Sequence, residues 1–199
     1  MATRSHVRDW IDAQSPRSYF WARDVPGTPR AVDSALSRLA GDPDGPIVRA
    51  RQGLYWVKPA MTRFGTGTPD LVATALTAAG PGSGPAGWSA THVLGLSTQV
   101  PVVPTIAVAG RPPKGLNGVR FVSRSNLSRY ELNLSEIAIL EVLRDFPDYT
   151  DRSMTWSDSQ ERLRGVIAKG GIDRDRLSVV AHKEHHADVR SRTEELLGS

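Results

Sequence analysis

The sequence predicts an α+β fold in two parts, and three observations carry that prediction. Apolar residues recur at helical spacing in several separate stretches. Short alternating runs rich in Val, Ile, Tyr and Trp lie between them. A Gly/Pro/Thr-rich stretch at residues 59–69 punctuates the chain, and it divides residues 1–60 from residues 61–199.

Size and composition bound the classes of function. The chain has 199 residues, 39% of them hydrophobic and 23% charged, which is ample for a buried core. It has no cysteine. Disulfide scaffolds, thiolate zinc sites, iron–sulfur clusters and Cys nucleophiles are therefore excluded, and a reducing cytoplasm is the expected compartment. No apolar run reaches the length of a membrane span, and Met1 to Trp10 carries charges and no apolar h-region, so neither a membrane partner nor a secretory signal is expected. The net charge of +4 is unevenly distributed. Residues 1–65 hold 10 Lys+Arg against 6 Asp+Glu, residues 66–130 hold 5 against 1, and residues 131–199 hold 10 against 14. A basic front and an acidic back suggest two faces with different partners.

The first part reads as helix, short strand, helical turn, helix and hairpin. Ser5 can cap a helix whose Val7, Trp10 and Ile11 share a face, and Ser15-Pro16 ends it. Tyr19-Phe20-Trp21 is a strand candidate, and Ala22 to Val25 fits a single turn. Thr28 suits an N-cap and Pro29 the first helical position. Val32, Ala35, Leu36 and Leu39 then form an apolar stripe, with Arg30, Ser34, Ser37 and Arg38 on the opposite face. After Gly41 to Pro46, the runs 47–51 and 54–58 make a hairpin around Gln52-Gly53. Strict alternation places Arg49 and Arg51 on one face of it.

That element order is the layout of a winged helix-turn-helix. In such a domain the second helix of the pair reads base edges in the major groove, and the hairpin lies on backbone or minor groove. The candidate DNA-binding residues are therefore Thr28, Arg30, Ser34, Ser37, Arg38, Arg49, Arg51 and Gln52.

The second part mixes strands and helices and becomes helical toward its end. Helices are expected over 69–79 and 89–94, the latter capped at Ser89, and strands over 100–108 and 118–123. The stretch from Gly80 to Gly87 reads as a Gly/Pro-rich loop. The 110–118 loop is basic, and Arg111, Lys114, Arg120 and Arg124, with Arg129 continuing the charge, are candidates for secondary DNA contacts. Further helices are expected after Ser135, from a Thr155–Asp158 capping box, after Asp173, and up to Leu196-Leu197. The acidic helical end suits a protein partner, either a different protein or a second copy of the chain.

Catalysis finds no foothold. His182, His185 and His186 fall at i, i+3, i+4 on one expected helix, but no Glu adjoins the first and no third ligand pattern accompanies them. Gly80 to Gly84 is followed by no Gly-Lys-Ser/Thr, and no nucleophile elbow or paired acid/base site is present. No catalytic residue, metal ligand or cofactor is assigned, and the chain is expected not to be an enzyme.

Two segments resemble a known family. The first runs from Tyr19-Phe20-Trp21-Ala22-Arg23-Asp24-Val25 through Pro29–Leu39 to Ile47–Trp56. The second is Ser83-Gly84-Pro85-Ala86-Gly87-Trp88-Ser89-Ala90-Thr91-His92-Val93-Leu94-Gly95-Leu96 with the residues that follow to Pro101. Together they resemble the AbiEi-family antitoxins of type IV toxin–antitoxin operons, which serve in phage defence, and are similar to mycobacterial antitoxins of nucleotidyltransferase-like toxins. The resemblance implies a winged-helix N-terminal domain joined to a mixed α/β to α-helical C-terminal antitoxin domain. It also implies binding to inverted repeats upstream of the protein's own operon, repression of that operon, opposition to a nucleotidyltransferase-like toxin, and self-association on DNA. The alternative expectation is a stand-alone winged-helix transcriptional regulator with no toxin partner.

Overall fold

In a computed structural model of the chain, residues 4–60 and 67–198 are described. They form eight α-helices, two short 3-10 turns and two three-stranded sheets, a mixed α plus β architecture. Backbone contacts divide the chain into two compact units, residues 1–78 and 79–199. Among the described residues no helix is long and apolar enough to cross a membrane.

In the first unit, helix α1 (Arg4–Asp12) buries Val7 and Ile11, as the spacing predicts. The expected cap, Ser5, falls inside this helix, and its side chain lies outside the described residues. Strand β1 (Tyr19–Trp21) leads into a 3-10 turn at Ala22–Asp24. The Asp24 carboxylate holds that turn by accepting the Trp21 backbone N–H at 2.8 Å. Helix α2 (Pro29–Gly41) starts with Thr28 at the N-cap position, although the Thr28 side chain makes no capping hydrogen bond. Strands β2 (Ile47–Arg51) and β3 (Leu54–Val57) complete an antiparallel sheet in the order β1-β3-β2. The two-residue connection needs a left-handed backbone, and Gly53 supplies it with φ +73°.

Helices α1 and α2 pack on one face of this sheet, burying Val32, Leu36 and Leu39 with Phe20, Ile47, Tyr55 and Val57. Phe20 and Tyr55, opposite each other in the β1–β3 register, stack with ring centroids 5.7 Å apart. The other face carries Tyr19 and Trp56, which are also register partners. It is engaged by the start of helix α3 (Leu71–Ala79): the Tyr19 hydroxyl donates to the Asp70 carbonyl at 3.2 Å and lies 3.1 Å from Thr74 Oγ1. The division between units thus falls after residue 78, and most of the helix that the sequence assigns to the second part belongs to the first unit. Residues 61–66 of the punctuating stretch lie outside the described residues.

In the second unit, β4 (Ser83–Pro85), β5 (Thr105–Ala109) and β6 (Arg120–Arg124) form a sheet in that order, β4–β5 antiparallel and β5–β6 parallel. Helix α4 (Trp88–Val93) lies between the first two strands in sequence. Helix α5 (Leu134–Asp145) is the centre of the unit, with every residue from Glu136 to Leu143 buried. Helices α6 (Trp156–Ala168), α7 (Arg174–His182) and α8 (Ala187–Leu197) complete the core, contributing Leu163, Leu177, Val180, Val189 and Leu196.

Several expectations are corrected here. The stretch read as a Gly/Pro-rich loop contains the buried strand β4. Gly84 is required there because a Cβ would stand 2.7 Å from Ile137 Cγ2 and 3.2 Å from the Leu134 carbonyl, so α5 lies against bare backbone. Strand β5 begins at Thr105 and not at Val100, since Pro101 and Pro104 interrupt the run and leave Val102 98% exposed. Ser89 is not the cap of α4, whose N-cap is Gly87; the Ser89 hydroxyl accepts the Thr105 N–H at 3.0 Å. The cap of α5 is Asn133, not Ser135, in a capping box with Glu136. The boxes at Thr155–Asp158 and the Asp173 cap stand where the sequence puts them.

Candidate nucleic-acid interface

The sheet and α1 fix α2 by its apolar stripe, so the opposite side of α2 faces outward. Thr28, Arg30, Ser34, Ser37 and Arg38 are all exposed. Arg38 Nη2 donates to Ser34 Oγ at 2.8 Å and its Nε to the Ser34 carbonyl at 3.3 Å, one turn back. Arg30 stands in the first turn, where no acidic residue accompanies it. A cation at that end opposes the helix dipole, at about 0.3–1 kcal/mol, unless an anion is brought to it.

The hairpin divides its arginines between two faces. A bulge between Arg49 and Arg51 pairs Arg49 with Tyr55 and Arg51 with Leu54, which are adjacent residues on β3 and so point opposite ways. The expected sharing of one face is therefore incorrect. Arg49 turns toward α2: its Nη2 donates to Ser37 Oγ at 2.8 Å and to the Tyr55 hydroxyl at 3.2 Å. The Arg49 guanidinium also lies 5.6 Å from the Tyr55 ring centre. Arg51 lies on the other side, 5.9 Å from the Trp21 ring centre, with Arg23 at 5.0 Å from the same ring. Gln52 is exposed at the turn.

Two cationic groupings result. One joins Ser37 and Arg49 beside Ser34 and Arg38. The other joins Arg23 and Arg51 around Trp21. Arg23, Trp21 and Tyr55 are absent from the residues assigned from sequence. The signal for Tyr55 is its place opposite Arg49 once the bulge is counted. Arg23 becomes visible only when the turn after β1 folds back over Trp21.

The second basic group is split by the fold. Arg111, Lys114 and Arg120 are exposed. Arg124 is held by Glu141, its Nε 2.9 Å from Oε1 and its Nη2 2.5 Å from Oε2. Arg129 is 0% exposed and belongs to no surface: its Nη1 donates to Glu141 at 2.6 Å and its Nε to Glu184 at 2.7 Å. Arg144 Nη2 reaches the other Glu184 oxygen at 2.5 Å. Burial raises the cost of ionising Glu141. Hydrogen bonding from Arg124 and the charges of Arg129 and Arg124 outweigh it, so the carboxyl stays below its ordinary value.

The histidines do not share a helix face. His182 ends α7, His185 lies in the connection, and His186 is the N-cap of α8. Among the described residues no group of three or more His, Asp or Glu side chains could hold a metal ion.

No protein-family model matches the chain, and no curated protein matches it. Among solved structures, the chain is similar to the RV2827C protein from Mycobacterium tuberculosis, at 18% sequence identity and a TM-score of 0.48, over 98% of this chain and 75% of that one.

Proposed function

We propose that the first unit is a winged helix-turn-helix that binds duplex DNA, with α2 as the recognition helix and the β2–β3 hairpin as the wing. The observation that carries this reading is the pair of cationic groupings on α2 and the hairpin. The Arg49–Ser37 bond ties the wing to the outer face of α2, and Arg51 with Arg23 flanks the hairpin on its other side. Arg30, Ser34, Ser37 and Arg38 would meet base edges and phosphates, and Arg51 and Gln52 the backbone or minor groove. Arg23 joins the wing contacts through Trp21.

Beyond DNA binding, the reading is that of an antitoxin of the AbiEi type, which represses its own operon through inverted repeats and opposes a nucleotidyltransferase-like toxin. The family-like segments described above support it. The acidic helical end of the chain, with 14 Asp+Glu over residues 131–199, suits a protein partner.

The test has two arms. In a gel shift with the DNA upstream of its own gene, the chain is expected to retard the fragment and to lose affinity on Arg38→Ala. Co-expression with the product of the neighbouring gene is expected to restore growth that this product alone arrests. Retardation without rescue would leave a stand-alone regulator, and no retardation of any duplex would overturn the winged-helix reading.

A further inference from the structure

A cavity of about 410 Å³ opens in the second unit beside the C-terminal end of α5. Its floor is one face of the sheet. The parallel register pairs Thr105 with Arg120, Ala107 with Val122 and Ala109 with Arg124, so Arg120, Val122 and Arg124 point the same way, toward Glu141 of α5. Its wall is aromatic: Trp88 and Tyr149 meet edge to face with centroids 5.7 Å apart. Gly87 adjoins this wall in a left-handed conformation, φ +53°, that favours glycine.

Three charged groups line this space and differ in how they are held. Arg124 is fixed by its two-point bond to Glu141. Arg120 is exposed at the mouth and its guanidinium has no hydrogen-bond or ion-pair partner among the described residues. Asp145 is half-buried, and its carboxylate likewise lacks a hydrogen-bond or ion-pair partner among the described residues. Burial, with the nearby charge of Glu141, pushes its carboxyl up from the ordinary value. A ligand that donates hydrogen bonds to this carboxylate would stabilise its ionised form.

The occupant must therefore bring an anionic group for the arginines, hydrogen-bond donors for Asp145 and a flat body for the aromatic wall. The volume lies within the roughly 300–1,000 Å³ of small-molecule sites and is generous for a free amino acid. We infer that this cavity binds a nucleoside monophosphate. The phosphate pairs with Arg120 and Arg124. Sugar hydroxyls or an exocyclic amine donate to Asp145, and the base lies against Trp88 and Tyr149.

Calorimetric titration of the full chain with AMP, GMP, CMP and UMP tests this, with inorganic phosphate, adenosine, free amino acids and short single-stranded oligonucleotides as comparison probes. At least one nucleotide is expected to bind about tenfold or more tightly than phosphate or adenosine alone. Arg120→Ala and Asp145→Asn are each expected to weaken it about tenfold without loss of thermal stability, and Arg120→Lys to retain part of the affinity. Asp145→Asn, which removes no cation, is expected to bind duplex DNA as the parent does, which separates this site from the first unit. The proposal is overturned if no nucleotide binds at roughly 10 mM. It is equally overturned if phosphate alone, amino acids or only oligonucleotides bind, or if neither substitution changes nucleotide affinity.

Discussion

The Arg129 guanidinium is fully buried between Glu141 and Glu184. Removing one partner of such a group leaves carboxylates buried with too little positive charge. Arg129→Met is expected to destabilise the chain by about 3–5 kcal/mol in urea unfolding. Arg8→Ala, which breaks an exposed i,i+4 pair with Asp12, is expected to change stability by less than about 1 kcal/mol. Equal effects would contradict the assignment. The acids of this region differ in sign. For both Glu141 and Glu184, burial raises the carboxyl pKa but is outweighed by the arginines, Arg124 and Arg129 for the first and Arg129 for the second. The stability they contribute is present above the ordinary glutamate value and lost as pH falls through the lower folded values. Asp145 has the opposite sign: its raised value makes the ionised form unfavourable in the folded chain. Asp145→Asn is therefore expected to raise the thermal midpoint at neutral pH and to leave it unchanged at acid pH, where the carboxyl is protonated in both states. A lowered midpoint at neutral pH would contradict that account.

At the scale of elements, the packing of α5 on β4 turns on one missing methyl group. Gly84→Ala is expected to destabilise by about 1–3 kcal/mol by forcing α5 off the strand. Gly165→Ala, in the last turn of α6 with nothing near the added Cβ, is expected to stabilise by about 0.5–1 kcal/mol. Calorimetric unfolding of both variants checks the pair, and a shift of the same sign in both would refute it. The elements legible in the sequence are those whose signal is local. The stripe of α2, the Gln52-Gly53 turn, the Thr155–Asp158 box and the Asp173 cap each depend on residues within a turn or two. What is illegible depends on partners far along the chain. β4 is a strand because α5 covers Gly84, a residue with no strand propensity of its own. The bulge in β2 comes from pairing with β3 and moves Arg49 to the α2 side. The basic charge of Arg124 and Arg129 reads as surface until Glu141 and Glu184 are brought to it. The cavity beside Asp145 has no sequence motif, since Trp88, Arg120, Asp145 and Tyr149 meet only in the fold.

At the scale of the whole molecule, the two units are assigned separate roles, and the first extends beyond its hairpin. The Tyr19 bonds to Asp70 and Thr74 make residues 67–78 part of the first sheet's packing. A piece spanning residues 1–78 is expected to melt cooperatively and at a higher temperature than one spanning 1–60, by circular dichroism. Equal melting would place those bonds outside the stability of the unit. The central claim is that α2 and the hairpin form a phosphate-engaging, base-reading surface, and it is tested most directly by the salt dependence of binding to the upstream duplex. The full chain is expected to show a steep fall of log K with log salt. Arg30→Ala, Arg38→Ala and Arg51→Ala are each expected to weaken binding, with the slope reduced by about 1 for each phosphate that is no longer engaged. A flat salt dependence, or unchanged affinity and slope in all three folded variants, would contradict it.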